Sequence, residues 1–182
     1  MKKVLPWLLT LVLLAGAWVL NAVALPEGSS EASFLTPATV GHAATARNLT
    51  LTVTDVRAAR SIVDPTGRTL ESTWVVVDVD AEALDSQYGA TLGFAELTVG
   101  ERTFRATERI ESFFRARLVP GVPRSGAVAF ELPSDALKGT GTLRLGIPSD
   151  ARYDGLVELR VDLGDIPVED AITLPATDWT RS

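Results

Sequence analysis

The clearest strand pattern in this chain is T-W-V-V-V-D-V-D-A-E, residues 73–82. Side chains of a β-strand alternate between its two faces, and one face of this stretch is wholly apolar: Val75, Val77, Val79 and Ala81. The opposite face begins with two large apolar residues and continues with carboxylates: Trp74, Val76, Asp78, Asp80 and Glu82. Because its first half is apolar on both faces, we predict a central strand whose far end emerges into solvent.

The same period of two recurs on both sides of this stretch. L-T-L-T-V-T at 49–54 alternates apolar residues with threonine. A-V-A-F-E-L at 127–132 also alternates and is followed by Pro133, which has no N–H to donate a hydrogen bond to a neighbouring strand. Further strands are predicted at 91–99, 102–107, 113–118, 142–147 and 156–163. Gly100-Glu101 predicts a tight hairpin with a type II′ turn.

Short strands separated by turn residues, with no amphipathic helix among them, predict an all-β domain over residues 48–166. The pattern contains about eight strands, which is typical of two antiparallel sheets that bury their alternating faces against each other. We therefore expect a β-sandwich, with a small barrel as the alternative.

Three of the strand patterns also resemble motifs of a known type of domain. W-V-V-V-D-V-D-A at 74–81, S-G-A-V-A-F-E-L-P at 125–133 and a later strand ending in L-R-V-D-L resemble the immunoglobulin-like extracytoplasmic domains of unknown function in bacterial lipoproteins and secreted antigens. The resemblance covers about half of the chain and implies an immunoglobulin-like β-sandwich. The chain departs from it in having no lipobox cysteine, and the resemblance brings no catalytic residues.

A long apolar run precedes the domain. It extends from Val4 to Leu25, 22 residues without a charge, and follows Lys2 and Lys3. As a helix it would reach roughly 33 Å, enough to cross a hydrocarbon core of about 30 Å. Lysines before the run and glutamates after it predict a single span with a cytoplasmic N-terminus and the remainder outside.

This run has two interpretations. Its length favours an uncleaved signal anchor over a signal peptide, whose apolar core is about 7 to 15 residues long. Ala22 and Ala24, however, match the small residues of a signal-peptidase site, so cleavage after Ala24 and secretion are the alternative. We therefore expect residues 1–25, called the leader below, to be a signal anchor or a signal peptide.

Two polar segments flank the predicted domain. Residues 26–47 are rich in Pro, Gly, Ser, Thr, Ala and Glu, a composition that buries too little surface to order itself, so a flexible spacer is predicted. Residues 167–182 are acidic and polar, and we predict a tail that is loose or laid along the sandwich.

No catalytic or cofactor pattern is recognisable in the sequence. The chain has no cysteine, which excludes disulfides and thiolate metal sites, and its one histidine, His42, lies in the predicted spacer without ligand partners nearby. The carboxylates at 78–85 lack the turn glycine and final glutamate of a calcium loop. We expect a non-enzymatic protein without a cofactor or a metal.

Charge and aromatic residues bear on the partners. The formal charge of −6 becomes −8 without Lys2 and Lys3, so the phosphates of a nucleic acid or of an anionic membrane surface would be repelled. The mixed-charge stretch with Phe113, Phe114, Arg115 and Arg117 is a candidate partner patch if either ring is exposed. The alternative is a core aromatic with charged neighbours at a sheet edge.

These patterns predict a single-pass protein of a bacterial cell envelope with an extracytoplasmic binding or scaffold domain. We expect an accessory subunit of an envelope complex, with an integral membrane protein or a cell-wall component as partner. The alternative is a secreted, cleaved β-sandwich that binds a small ligand, a peptide or a cell-wall component.

Overall fold

The computed structural model describes residues 34–84, 90–147 and 155–179, together with Leu14. Apart from Leu14, the predicted anchor or signal between Val4 and Leu25, with its cleavage residues Ala22 and Ala24, lies outside the described residues. In the described part, no helix is both long enough and apolar enough to cross a bilayer. The chain divides into two units, residues 1–32 and 33–182, and the strands below belong to the second unit.

Strands dominate the described residues. In chain order they are β1 (Phe34–Ala38), β2 (Ala43–Thr45), β3 (Leu49–Val63), β4 (Thr69–Ala83), β5 (Phe94–Val99), β6 (Arg102–Arg105), β7 (Arg124–Leu132), β8 (Thr140–Gly146), β9 (Gly155–Asp162), β10 (Val168–Glu169), β11 (Ile172–Thr173) and β12 (Asp178–Trp179). They form a smaller sheet in the order β1-β9-β8-β5-β6 and a larger sheet in the order β10-β3-β4-β7-β12, with β2 and β11 also pairing with β3. The all-β prediction is confirmed.

The main apolar core draws side chains from both sheets. β4 contributes Val75, Val77 and Val79, and the smaller sheet contributes residues such as Leu97 and Leu143. Each of these five side chains is almost completely excluded from water. Burial of one such side chain contributes roughly 1.5–3 kcal/mol, so the alternating pattern supplies much of the driving force for folding.

β4 is a central strand of the larger sheet, as the sequence predicts. It pairs antiparallel with β3 on one side and β7 on the other. On its outer face Trp74 and Val76 are fully buried, and the Trp74 Nε1–H donates to the Leu70 carbonyl at 3.1 Å. They belong to a second apolar cluster, called the Trp74 cluster here: Ala59, Ile62, Trp74, Val76, Ile110, Ala127, Ala129, Ile172 and Leu174.

The predicted spacer is structured over its second half. β1 pairs in parallel with β9, and β2 pairs antiparallel with β3. Ala44 and Ala46 are buried in the main core. The prediction of a flexible spacer is therefore wrong for residues 34–47. Small and polar residues dominate these strands, and their stability comes from pairing with distant strands, which composition does not reveal.

The C-terminal segment lies along the larger sheet. β10 and β11 pair in parallel with β3, and β12 pairs antiparallel with β7. Ile172 and Leu174 are buried in the Trp74 cluster, and the Leu174 N–H donates to the Val63 carbonyl at 2.8 Å. The tail was predicted to be either loose or laid along the sandwich. Its residues 168–179 lie along the larger sheet.

Two local predictions have opposite outcomes. The β5–β6 hairpin has the predicted two-residue loop, with Gly100 at a φ of 60° and Glu101 outside the positive-φ region, the pattern of a type II′ turn. The strand predicted at 113–118 is wrong, because Phe113–Phe114 lie in a turned loop and only Arg117 forms an isolated bridge there.

Candidate binding cleft

The outer face of the larger sheet changes character along β4. The fully buried Val76 is followed on the same face by Asp78 and Asp80, both half-buried. At this position an open cleft of about 480 Å³ is lined by β3, β4, β7 and residues 173–176. Cavities of this size accommodate a small molecule or a few side chains of a partner.

An ion pair lines this cleft. Arg57 of β3 donates from Nε and Nη2 to Asp78 Oδ2 of β4, at 3.0 and 2.6 Å. The two side chains are only 29% and 20% exposed. Charge-assisted hydrogen bonds shielded from water in this way are stronger than those of surface pairs, so each group holds the other in position.

A β-bulge explains why Arg57 lies on this face. The register of β3 against β4 shifts between Val53 and Asp55, and Thr54 has no partner on β4. Thr54 and Arg57 are three positions apart and would point to opposite faces of a regular strand. The extra residue of the bulge changes the alternation, so both line the cleft.

The second carboxylate oxygen of Asp78 is not satisfied. Among the described residues, Asp78 Oδ1 is buried and accepts no hydrogen bond. Burial raises the pKa of Asp78; the Arg57 hydrogen bonds and charge oppose this rise, and the nearby Asp55 carboxylate adds to it. Buried polar atoms are normally paired, so a partner that donates an N–H or O–H group to Oδ1 would relieve a cost already present in the free protein.

The sequence-predicted partner patch is not one continuous surface. Phe113 is fully buried in the main core, and its N–H donates to the Ala127 carbonyl at 2.7 Å. Phe114 is half-buried, with the Arg115 guanidinium 5.8 Å from its ring centroid, and Arg115 and Arg117 are exposed. Phe113 is therefore a core residue, which was the alternative to an exposed partner patch in the sequence analysis.

Phe114 and Arg115 line a second, smaller pocket of about 170 Å³ beside β5 and β6. Arg115 contacts Glu108 at 2.6 Å, and Arg105 contacts Glu96 at 3.0 Å. Arg115 has a φ of 66°, a conformation that costs an L-residue roughly 1–2 kcal/mol. Both arginines are engaged by carboxylates, as Arg57 is in the cleft, but none of the described residues that line this pocket has a buried polar atom without a partner comparable to Asp78 Oδ1.

The remaining sequence candidates do not assemble into a site. Among the described residues, no group of three or more His, Cys, Asp or Glu side chains is placed to hold a metal ion. His42 is exposed, and its Nδ1 lies 3.2 Å from the Val40 carbonyl. Arg57 was not among the sequence candidates, since only the bulge directs it toward Asp78.

Comparison of the chain with protein-family models, with curated proteins and with solved structures finds no match. The immunoglobulin-like resemblance thus depends on the strand motifs alone, and the two-sheet, all-β fold is compatible with it.

Proposed function

We propose that this chain is an extracytoplasmic, non-catalytic binding or scaffold protein with an immunoglobulin-like domain, held at the membrane by its leader. In this proposal the N-terminus is cytoplasmic, and residues after Leu25 lie outside the membrane. The protein would serve as an accessory subunit of an envelope complex and bind an integral membrane protein or a cell-wall component. Anchoring would raise the effective concentration of the domain next to such a partner.

The observation that supports binding is the cleft at Arg57 and Asp78. A half-buried ion pair with one unsatisfied oxygen is costly, because desolvation of the two charges is only partly offset by their contact. An amide or hydroxyl group of a partner could donate to Asp78 Oδ1 and accept from Arg57. Peptide segments and cell-wall polymers both present such groups.

Co-purification of the full-length protein from native membranes tests this proposal. Asp78→Asn alters the cleft, and Glu158→Gln is the matched control in the smaller sheet. Glu158 accepts a hydrogen bond from Arg144 Nε at 2.9 Å and is 21% exposed, close to the 20% of Asp78. We expect a defined partner to be lost with Asp78→Asn and retained with Glu158→Gln. Equal retention by both variants would contradict a role for the cleft.

The secreted binder is the second candidate, because the cleft has the dimensions of a small-molecule site without any contribution from a membrane. The intact mass and fractionation of the natively expressed protein separate the two candidates. A chain beginning at Leu25 in the soluble fraction would favour the secreted binder. A full-length chain in the membrane fraction would favour the anchored subunit.

A further inference from the structure

One end of the β-domain carries most of its exposed large apolar side chains. In the described residues of this domain these are Phe34, Leu35, Val40, Leu84, Val119, Val122 and Val168. Five of them lie at a single end of the strands and are called the end patch here: Phe34, Leu35, Leu84, Val119 and Val122.

Strand ends place three of these residues together on the larger sheet. Leu84 directly follows the last residue of β4, Ala83, which forms a bridge with Pro120. Pro120 lies in a turn in which the Val122 N–H donates to the Val119 carbonyl at 3.3 Å. Leu84, Val119 and Val122 therefore lie where β4 ends and β7 is about to begin.

The smaller sheet brings the start of β1 to the same end. Phe34 pairs with Gly155, the first residue of β9. Gly155 lies so close to Arg47 that a Cβ at position 155 would be 2.6 Å from the Arg47 nitrogen. Arg47 is two residues before Leu49, the start of β3, and Leu49 pairs with Ala83 at the end of β4. The start of β1 and the end of β4 thus share one end of the domain.

The same end receives the chain from the apolar run. Eight residues, 26–33, separate Leu25 from Phe34. Even fully extended, this stretch reaches about 30 Å. If the run is held in a bilayer, as proposed above, the start of β1 stays within that distance of the point where the run ends.

We infer that the end patch docks on the lipid surface of the membrane that holds the leader. The inference rests on the proposed membrane anchoring. Exposed apolar side chains gathered on one surface mark an interaction site, and the short connection favours the bilayer as its occupant.

Charged residues at the same end are compatible with a lipid surface. Arg47 and Arg117 are exposed, and Arg124 donates from Nη1 to the Arg117 carbonyl at 2.7 Å. Long arginine side chains can reach lipid phosphates while their stems remain on apolar surface. Among the described residues, Glu82 and Asp178 are carboxylates on the neighbouring strand ends. Docking would keep the β3–β4 turn, at the opposite end of the strands, farthest from the bilayer.

Site-specific fluorescence tests the docking. The chain has no cysteine, so one introduced cysteine carries a fluorophore at a chosen position. Val122→Cys and Val168→Cys are a matched pair, because the two valines are 40% and 41% exposed and only Val122 belongs to the end patch. The full-length variants are reconstituted into vesicles of phosphatidylcholine and phosphatidylethanolamine that contain no other protein, with a spin-labelled lipid as quencher. We expect quenching to be several-fold stronger at position 122 than at position 168.

Flotation of the same samples separates docking from anchoring. Protein that floats with the vesicles and is quenched equally at both positions would overturn the docking and leave the anchoring intact. Protein that does not float would overturn both. A fluorophore at position 122 that is protected from solvent in native membranes, but not in vesicles without other proteins, would overturn lipid docking. The partner of the end patch would then be a membrane protein.

Discussion

The ring of Phe113 fills the space that a side chain at position 126 would need. A Cβ on Gly126 would lie 2.5 Å from Phe113 Cδ2. Gly126 pairs with Val79 in the larger sheet and has no positive φ, so packing rather than turn geometry requires a glycine here. This contact anchors the loop before β7 in the core and keeps Phe113 away from the surface.

We expect Gly126→Ala to lower the free energy of unfolding by about 1–3 kcal/mol, because the added methyl group overpacks the core. Urea denaturation measures the change. Gly164→Ala is the control, since the nearest atom to a Cβ there is 3.5 Å away. The double variant Phe113→Leu/Gly126→Ala should recover part of the loss, because the two residues interact directly. Equal midpoints for the two single alanine variants would contradict the packing argument.

The C-terminal segment should contribute to the stability of the domain. Leu174 is 2% exposed in the Trp74 cluster, so Leu174→Ala is expected to cost about 2–5 kcal/mol through lost burial and the cavity left behind. Val168→Ala, at a 41% exposed position of the same segment, should stay within about 0.5 kcal/mol of the wild type. Denaturant unfolding compares the two. A tail that does not pack would give small and similar effects at both positions.

Asp64 should stabilise the protein at neutral pH. Its Oδ1 accepts hydrogen bonds from the Thr66 hydroxyl and N–H at 2.6 and 3.0 Å and from the Arg68 N–H at 2.9 Å. The Thr66 hydroxyl bond is the main cause of a lowered pKa of Asp64. A lowered folded-state pKa gives stability that is present above the unfolded value of about 3.9 and is lost as pH falls through the folded value.

Asp64→Asn should therefore lower the free energy of unfolding at pH 7, and its difference from the wild type should shrink below about pH 4. Urea denaturation from neutral to acidic pH measures this difference. A difference that stays constant over the whole range would show that the turn does not depend on the Asp64 charge.

Asp78 should show the opposite pH dependence. Burial raises the pKa of Asp78, although the hydrogen bonds and charge of Arg57 act to lower it. The folded state therefore binds a proton at Asp78 more tightly than the unfolded state does. The resulting stability is fully present below the unfolded value of about 3.9 and is lost as pH rises through the raised folded value. Asp78→Asn has no such titration, so the stability of the wild type relative to this variant should fall from acidic to neutral pH. A relative stability that rises with pH would mean that the Arg57 contact outweighs burial.

The domain should need β1 and β2 to fold well. We expect a chain beginning at Ser33 to unfold cooperatively, because it keeps both strands and the buried Ala44 and Ala46. A chain beginning at Asn48 should unfold at a lower midpoint and aggregate, because it exposes the edge of β9 that β1 covers. Thermal unfolding and size-exclusion chromatography compare the two truncations. Identical midpoints would show that residues 34–47 add no stability.

The longer strands were predictable because alternation is a local signal. In β4, apolar residues on both faces at Trp74 and Val76 predicted a central position, and the structure places β4 between β3 and β7. The strands β1, β2, β10, β11 and β12 were not predicted, because they have two to five residues and depend on partners far along the chain. Such partners leave no periodicity in the short strand itself.

The cleft was predictable only in part. Asp78 was recognised as a carboxylate on the outer face of β4, but its partner Arg57 was not. Regular alternation would place Thr54 and Arg57 on opposite faces, and the bulge that changes this has no marker residue in T-V-T-D-V-R.

Alternating apolar side chains were thus enough to establish an all-β domain with β4 inside a sheet, because the alternation that marks a buried face lies in the residues of each strand itself. The tertiary structure alone placed Phe113 against Gly126 and Arg57 against Asp78. Those contacts join residues on different segments, and their geometry depends on a close approach and a register shift that no local pattern records.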